Sequence, residues 1–366
     1  MAIITPSRRV RRTPFTAGVE AAGVTSYTVY NRMLLPAQFG GFVEDYHHLK
    51  KHVQVWDVAC ERQVEVKGPD ALRLVQLITP RDLSKMADDQ CLYIPVVDQD
   101  GGMLNDPVLL RVAPDTYWIS IADSDLLLWV KAIAACNGFD VQVSEPDVSP
   151  LGVQGPRSDD LMARVFGEAV RDIRFFRYQR LAFQGHEMIV ARSGYSKQGG
   201  FEIYVDDFAL GMPLWEALFA AGEDLQVRAG CPNLIERVEG GLLSYGNDMT
   251  VDNSPLECGL GRFVSPMMLG TCFGGRALAD EIAAGSRQMI RAIAIEGELP
   301  PCDRLWRVYA GGAEVGQVTS AVRSPDFGTN VAIGMVARSH WDVGTVIEVE
   351  TQGGMRRGVV QAGFWA

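Results

Sequence analysis

The sequence has no uninterrupted run of about 18 apolar residues, the length that a membrane-spanning helix needs. The apolar stretch LLLWVKAIAA contains Lys131 and is typical of a buried helix. Positive charge is not in excess either, because 45 acidic residues outnumber 34 basic ones and the net charge is −11. These two absences argue against a membrane span, and against nucleic acid or an anionic membrane surface as the partner.

Metal-binding and disulfide patterns are also missing from the sequence. The seven cysteines are scattered, their number is odd, and none belongs to a CxxC pair. His47 and His48 are adjacent on the predicted helix FGGFVEDYHHLKKHVQVWD, so their side chains point in different directions. The sequence therefore predicts a reduced, cytoplasmic protein with buried thiols and no bound metal.

The composition is that of an ordinary globular protein, with 47% hydrophobic and 22% charged residues over 366 positions. The order strand, helix, hairpin, helix occurs about twice in residues 1–288, with a division near residue 148, and predicts two related α+β units. Residues 289–366 contain short strand-like runs separated by glycine-rich turns, which are typical of a small β-barrel. The predicted fold class is therefore α+β with a C-terminal β-barrel domain.

The stretch YSKQGGFEIY, residues 195–204, combines two glycines with an alternating strand pattern. In a strand, Phe201 and Ile203 would share one face, and Glu202 and Tyr204 the other. The preceding glycines would allow a close approach of the backbone to a ligand, or a bulge. The residues alone leave two interpretations open, namely a solvated glutamate on an edge strand and a carboxylate that faces a ligand.

Several longer motifs occur together in the chain, namely WDVACERQVEVKGPDA, GGMLNDPV, VQGPRS, ARSGYSKQGGFEIY and RVEGGLLSYGNDM. Their order and spacing resemble the folate-dependent aminomethyltransferase superfamily, typified by the T-protein of the glycine cleavage system. The resemblance covers nearly the whole chain. It is closest to the branch that demethylates dimethylsulfoniopropionate, which shares the strings RRVRRTPF, RFFRY and SKQGGFEIYV. It implies a three-domain cloverleaf around a central folate site.

The function that this resemblance implies is the transfer of a methyl group from dimethylsulfoniopropionate to N5 of tetrahydrofolate. The products would be 3-(methylthio)propanoate and 5-methyltetrahydrofolate. A sulfonium is already an activated leaving group, so the protein must mainly align the reactants, which contributes up to roughly 7–11 kcal/mol in favourable cases. Tetrahydrofolate is then the co-substrate, and neither a catalytic cysteine nor a metal is expected.

The resemblance also implies a set of folate-binding residues. Glu202 matches the glutamate that accepts hydrogen bonds from the pterin, for which a carboxylate is suited because it offers only acceptors. The segment YNRMLLP matches the one that enters the central hole. The remaining predicted folate-binding residues are Tyr204, Met33, Tyr93, Arg237 and Tyr245.

The GGMLNDPV motif departs from the aminomethyltransferase pattern at its catalytic position. Aminomethyltransferases typically carry two aspartates there, whereas this chain has Asn105 followed by Asp106. An amide cannot act as a carboxylate toward an amine-bearing substrate, so the glycine-cleavage reaction is disfavoured. Asn105 and Asp106 are nevertheless the predicted catalytic residues. Asn105 would position the folate by hydrogen bonding, whereas Asp106 would hold the folate or a neighbouring loop, with a plain role in the turn as the alternative.

The substrate-binding residues are predicted from the chemistry of a cation that has a carboxylate tail. Aromatic faces attract a sulfonium by roughly 0.5–2 kcal/mol each, and a lysine can hold the tail. The candidates are Tyr30, Tyr195, Phe176 and Tyr178 for the cation, and Lys197 for the tail. Related demethylases often carry tryptophan at the position of Tyr195, so the smaller ring keeps another cation in consideration.

Three alternative functions are left open. The first is demethylation of another methylated cation, such as a betaine or a methylamine. The second is the glycine-cleavage aminomethyltransferase reaction, with a lipoyl-carrying protein as partner. The third is a folate-binding protein of iron–sulfur assembly or RNA modification. Such proteins carry a lysine–glycine–cysteine–tyrosine–x–glycine–glutamine–glutamate motif, with which LGTCFGGRAL of this chain aligns only loosely, through Cys272. The oligomeric state is left open as well, a homodimer included, and the expected partners are small molecules.

Overall fold

A computed structural model describes residues 4–5 and 7–366 of the chain. Its α-helices are α1 (Thr16–Ala21), α2 (Phe42–Lys51), α3 (Ala71–Leu77), α4 (Leu126–Cys136), α5 (Ser158–Phe166), α6 (Gly211–Ala221), α7 (Leu234–Gly240) and α8 (Gly275–Ala284). Short 3-10 helices lie at Glu168–Asp172, Phe208–Leu210, Glu223–Leu225 and Gly261–Phe263. Within the described residues, every helix is too short or too polar to span a membrane.

The strands are shorter and more numerous. In chain order they are β1 (Ser26–Tyr30), β2 (Met33–Gln38), β3 (Gln54–Asp57), β4 (Gln63–Lys67), β5 (Cys91–Tyr93), β6 (Val96–Val97), β7 (Met103–Asn105), β8 (Val108–Ala113), β9 (Thr116–Ser120), β10 (Gln142–Ser144), β11 (Ser149–Gln154), β12 (Tyr178–Phe183), β13 (His186–Ala191), β14 (Gly200–Val205), β15 (Arg228–Gly230), β16 (Gln288–Ile295), β17 (Trp306–Ala310), β18 (Ala313–Arg323), β19 (Asn330–Ala337), β20 (Val346–Thr351) and β21 (Gly354–Val360).

The chain forms two compact bodies. The first body comprises the described residues up to Leu74, together with Lys85–Tyr93 and Pro107–Asn233. The second body comprises Val75–Ser84, Ile94–Asp106 and Leu234–Ala366. The predicted domain boundary near residue 288 stays a prediction.

The first body contains an antiparallel sheet, a mixed sheet and a hairpin. The antiparallel five-stranded sheet has the order β10-β4-β9-β8-β5, the mixed six-stranded sheet has the order β12-β13-β14-β11-β3-β15, and β1 pairs with β2. Helices α5 and α6 cover the larger sheet with their apolar faces. Leu161 of α5 and Leu214 and Leu218 of α6 are fully buried in the same core as Phe201 and Ile203 of β14.

The second body contains a closed barrel with the strand order β16-β19-β18-β17-β20-β21. Strand β20 alternates as a barrel strand with one solvent-facing side does, because Ile347 and Val349 are buried while Glu348 and Glu350 are exposed. Ile293, Trp306 and Val349 belong to its core. Closure leaves the barrel without exposed sheet edges. The barrel that was predicted for the last part of the sequence is therefore confirmed.

Two local features differ from the sequence prediction. The helix that was expected over FGGFVEDYHHLKKHVQVWD ends at Lys51, and β3 follows it. Val55 and Trp56 of β3 are fully buried in the middle of a sheet, where β-branched and aromatic side chains pack well. The segment YNRMLLP forms the turn and second strand of the β1–β2 hairpin, which the sequence analysis did not predict.

Candidate active site

Strand β14 carries Glu202 into the interior of the first body. It pairs with β13 on one side and with β11 on the other, so it is a central strand. Phe201 and Ile203 lie in the helix-covered core, while Tyr204 lies in a separate cluster on the opposite face. The predicted alternation is confirmed, and the interpretation of Glu202 as a solvated residue on an edge strand is wrong.

Glu202 is a buried carboxylate whose two oxygens have different surroundings. Oε2 accepts a hydrogen bond from Ser193 Oγ at 2.5 Å and a longer one from the Tyr204 hydroxyl at 3.4 Å. Oε1 accepts no hydrogen bond from the described part of the chain. Burial raises the pKa of Glu202 above its ordinary value, and the two hydroxyl hydrogen bonds offset this only in part. One oxygen is therefore left to receive a donor from a ligand.

An aromatic cluster lies on the same face of β14 as Glu202. The ring of Trp118 lies 6.2 Å from that of Tyr204, and Phe176 and Tyr178 belong to the same cluster. The Tyr178 hydroxyl donates to the backbone carbonyls of Asp88 and Arg111, so it anchors a loop. The cluster brings together three residues that the sequence predicted for the site, namely Phe176, Tyr178 and Tyr204, and adds Trp118, which it did not predict.

Phe176 adopts a backbone conformation that is rare for an aromatic residue. Its φ is 58°, in the left-handed region where a side chain is strained. The conformation is held by backbone hydrogen bonds, because Phe176 N donates to Arg192 O and Phe176 O accepts from Cys91 N. Strain of this kind costs of order 1–3 kcal/mol and clusters at functional sites. The ring of Phe176 is half-buried, and the largely exposed Phe175 contacts it edge-on.

The loop before β14 is built around Gln154, which the sequence analysis did not identify. Gln154 is buried; its Nε2 donates to the carbonyls of Ser193 and Phe201, and its Oε1 accepts from Ser196. A Cβ on Gly194 or Gly200 would lie 2.1 Å or 2.6 Å from Gln154 Nε2. Both positions therefore require glycine, and the close approach fixes Ser193 beside Glu202.

The other predicted residues of the first body are less enclosed or lie elsewhere in it. Tyr195 is half-buried and Lys197 is exposed, both on the loop that Gln154 supports. Met33 is buried in the helix-covered core, and the half-buried Tyr30 packs against the same core. Tyr93 ends β5 and is half-buried.

In the second body, the GGMLNDPV motif forms a tight turn between β6 and β7. A Cβ on Gly102 would lie 2.1 Å from the carbonyl oxygen of Val251, so only glycine fits. Asn105 is fully buried at the end of β7, and Asp106 follows it. The Tyr245 hydroxyl donates to Met103 O at 2.9 Å, and burial raises the pKa of Tyr245 to about 12, with a smaller contribution from the charge of Asp106. The structure thus groups three predicted residues, Asn105, Asp106 and Tyr245.

Arg237 also lies in the second body, with its guanidinium in a buried network. Nη1 donates to Asp248 Oδ2 at 2.7 Å, and Nη2 donates to Ser320 Oγ at 2.7 Å. Asp248 is itself buried and accepts from Thr319 Oγ1 at 2.6 Å, from Ser320 Oγ at 2.6 Å and from the backbone N of Ser244 at 2.9 Å. This network fastens the segment after α7 to barrel strand β18. The role of Arg237 in folate binding stays a prediction.

Two family descriptions match this chain. Residues 15–267 match the GCVT N-terminal domain, and residues 290–364 match the glycine cleavage T-protein C-terminal barrel domain. The chain therefore belongs to the glycine cleavage T-protein family, and the predicted superfamily is confirmed.

Two relatives show how similar the chain is to particular members of this family. The chain is 67% identical over 365 residues to dimethylsulfoniopropionate demethylase DmdA of Ruegeria pomeroyi, with 100% of both proteins covered. It is 28% identical over 366 residues to an aminomethyltransferase of Moorella thermoacetica, with 97% of this chain and 98% of the relative covered.

A solved structure shares the fold. The crystal structure of glycine cleavage system aminomethyltransferase T from Bartonella henselae matches with a TM-score of 0.87 at 22% identity, over 97% of this chain and 98% of that one. At this identity the match shows the fold alone, and it confirms the predicted fold class.

Proposed function

We propose that this protein is a tetrahydrofolate-dependent demethylase. It transfers a methyl group from dimethylsulfoniopropionate to N5 of tetrahydrofolate and yields 3-(methylthio)propanoate and 5-methyltetrahydrofolate. The observation that carries the proposal is the 67% identity, over the full length of both proteins, to the Ruegeria pomeroyi demethylase. The acidic net charge of −11 argues against nucleic acid or an anionic membrane as the partner, so we propose small molecules as the partners and the cytoplasm as the location.

The surroundings of Glu202 fit a reduced pterin. A pterin edge presents a ring N–H and an amino group, which are donors, and Glu202 has one carboxylate oxygen that accepts nothing from the described residues. Hydrogen bonds to a charged carboxylate are stronger than neutral ones, and the buried position strengthens them further. Ser193 holds the other oxygen, so the carboxylate is oriented before the folate arrives.

The reaction depends more on alignment of the methyl donor with the folate than on a nucleophilic side chain of the protein. The S–CH3 bond breaks with its electron pair left on sulfur, the N5–CH3 bond forms, and the N5 proton is released to solvent. Orientation and exclusion of water are what side chains contribute. We propose that Asn105 and Asp106 position the folate; an amide at residue 105 suits a reaction in which the N5 lone pair attacks directly and the N5 proton leaves only after the methyl group has been transferred.

We place the sulfonium against Tyr195 and its carboxylate tail at Lys197. Tyr195 is half-buried on the Gln154-supported loop, next to the strand that carries Glu202. Tyr178 is less suited, because its ring is buried and its hydroxyl is bonded to two carbonyls. A cation against an aromatic face contributes roughly 0.5–2 kcal/mol. Tyr30 and Phe176 stay predicted contacts of the substrate.

The proposal is tested by following the reaction with NMR. Purified protein is mixed with tetrahydrofolate and dimethylsulfoniopropionate, and the spectra are recorded over time. We expect 3-(methylthio)propanoate and 5-methyltetrahydrofolate to form in equal amounts, and neither to form without the folate. A parallel sample contains glycine betaine in place of the sulfonium. If glycine betaine donates a methyl group and dimethylsulfoniopropionate does not, betaine is the substrate instead. If neither donor gives 5-methyltetrahydrofolate, the proposal is refuted.

A further inference from the structure

The tip of the β1–β2 hairpin is a two-residue turn with an unusual sequence. Asn31 and Arg32 both adopt left-handed backbone conformations, with φ of 48° and 61°. Such turns favour glycine and asparagine, so Asn31 suits its position while Arg32 does not. The flanking residues of this turn are Tyr30 and Met33, which pair with each other.

The side chain of Asn31 holds two loops of the first body together. Its Nδ2 lies 3.0 Å from Cys60 O, 3.2 Å from Ala122 O and 3.3 Å from Ile121 O. Its Oδ1 accepts from the backbone N of Ser124 at 3.0 Å, and its own backbone N donates to Asp123 Oδ1 at 2.7 Å. One half-buried amide therefore connects the loop after β3 with the loop after β9.

The second of these loops continues a strand that packs against the Glu202 site. Ile121 follows Ser120, the last residue of β9. Trp118 of the same strand has its ring 6.2 Å from that of Tyr204. Tyr204 in turn donates to Glu202 Oε2. The carbonyls of Ile121 and Ala122 that Asn31 holds thus lie three and four residues beyond a side chain that packs against Tyr204.

We propose that Asn31 is a positioning residue for methyl transfer. By fixing the loop after β9, it sets the end of that strand, and with it Trp118, against Tyr204, which donates to Glu202; by fixing the turn, it sets Tyr30 and Met33. This inference rests on the proposed function of the Glu202 site. Misplacement of reacting groups by about 1 Å can cost about 100-fold in rate.

The turn itself supplies a matched control. Arg32 shares the left-handed conformation, but among the described residues its side chain makes an exposed ion pair with Asp125, at the end of the second loop, at 2.9 Å. Exposed ion pairs contribute little. Arg32→Gly and Asn31→Gly therefore introduce the same residue into the same kind of backbone, and only Asn31→Gly removes the hydrogen bonds to backbone groups of both loops. Asn31→Asp tolerates the backbone and keeps the acceptor for Ser124 N, but it loses the donors to the three carbonyls.

The experiment compares the three variants with the unmodified chain. Thermal melting gives the folded fraction, calorimetry gives tetrahydrofolate affinity, and the NMR assay gives kcat and KM per folded molecule. We expect Asn31→Gly and Asn31→Asp to lower kcat about tenfold to 100-fold and to weaken folate binding, while Arg32→Gly stays within about twofold of the unmodified chain.

The outcomes separate this inference from the function on which it rests. An unmodified chain that neither binds tetrahydrofolate nor transfers methyl overturns both. An active chain in which Asn31→Gly matches Arg32→Gly, per folded molecule, overturns the positioning role alone. If Asn31→Gly does not fold, Asn31→Asp decides, and an unchanged kcat in that variant overturns the role equally.

Discussion

Each compact body contains a buried carboxylate, and the two are satisfied in different ways. Asp248, in the second body, is fastened by the guanidinium of Arg237, by two hydroxyls and by a backbone N–H. Glu202, in the first body, has two hydroxyl donors on one oxygen and no ion pair within the described residues. Both carboxylates are almost fully inaccessible to solvent.

We propose that this difference separates a carboxylate that serves folding, Asp248, from one that serves ligand binding, Glu202. A buried charge with a complete set of donors is stable in place, and its loss leaves the partner cation unpaired. Burial of a carboxylate that has few hydrogen-bond donors destabilises its charged form in the folded protein, and for this reason burial raises the pKa of Glu202. A destabilising carboxylate of this kind is retained in a protein where a ligand supplies the missing hydrogen-bond donors. The comparison can be tested by changing each group and measuring both stability and folate affinity.

The largest effect is expected from Asp248→Ala. The change leaves Arg237 buried beside Ser320 without its carboxylate, which typically costs about 3–5 kcal/mol of unfolding free energy. Chemical denaturation measures this loss. The matched change Glu202→Gln should leave the unfolding free energy equal or raise it, because it removes a buried charge that has no cationic partner. Equal destabilisation by both changes would contradict the distinction.

The next effect concerns folate affinity. Glu202→Ala removes the proposed acceptor of two pterin donors, and we expect tetrahydrofolate binding to weaken on the order of 100-fold, about 2.7 kcal/mol. Calorimetry with the free protein measures it. Unchanged affinity in a folded Glu202→Ala protein would remove this residue from the site.

A smaller effect is expected from a third buried carboxylate, Asp57, which also lacks an ion pair among the described residues. It accepts from Thr13 Oγ1 at 2.5 Å and from Ala59 N at 3.2 Å, and burial raises its pKa to about 7. The folded state then holds a proton that the unfolded state releases near pH 4, so stability falls as pH rises from about 4 to 7. The slope is at most about 1.4 kcal/mol per pH unit.

The variant Asp57→Asn isolates this slope. Its unfolding free energy should change less with pH than that of the unmodified chain over the same interval, and the difference between the two should become constant above about pH 7. Denaturant titrations at several pH values give both curves. Parallel curves between pH 4 and 7 would show that Asp57 is ionised in the folded protein throughout.

The smallest effect is expected from Ser193→Ala. It removes one hydrogen bond to Glu202 Oε2, so we expect folate affinity to fall about fivefold to tenfold, roughly 1–1.5 kcal/mol. Ser196→Ala is the control, because that hydroxyl donates to Gln154 and not to Glu202. A loss of affinity of the same size in both variants would assign the effect to the loop and not to the carboxylate.

Sequence patterns predicted the features that depend on local periodicity. Two-residue alternation placed Glu202 and Tyr204 opposite Phe201 and Ile203, and glycine-separated strands identified the barrel, because both signals lie within a few neighbouring residues. The resemblance supplied the family. The resemblance also predicted Arg237 as a folate contact. It did not predict the hydrogen bond from the guanidinium of Arg237 to Ser320, which lies 83 positions away in the sequence.

The features that the sequence did not predict arise from contacts between distant segments. Gln154 lies 39 residues from Ser193, and nothing near it in the sequence indicates that it organises the loop before β14. The anchoring of Asn31 to residues 121–124 spans about 90 positions. The adjacent left-handed residues of its turn have only one weak signal in the sequence, an asparagine that directly follows a run of strand-forming residues. Tertiary pairing, not propensity, determines these sites.

The glycines around Gln154 limit how this enzyme can be redesigned. A library that varies Gly194 or Gly200 to enlarge the donor site would yield mostly misfolded loops, since even a methyl group at either position collides with the glutamine amide. Diversity is better introduced at the proposed donor contacts Tyr195 and Lys197, since Tyr195 is half-buried, Lys197 is exposed, and both positions already accommodate a side chain. Selection for activity with new methyl donors should therefore vary Tyr195 and Lys197 and leave the glycines of the loop unchanged.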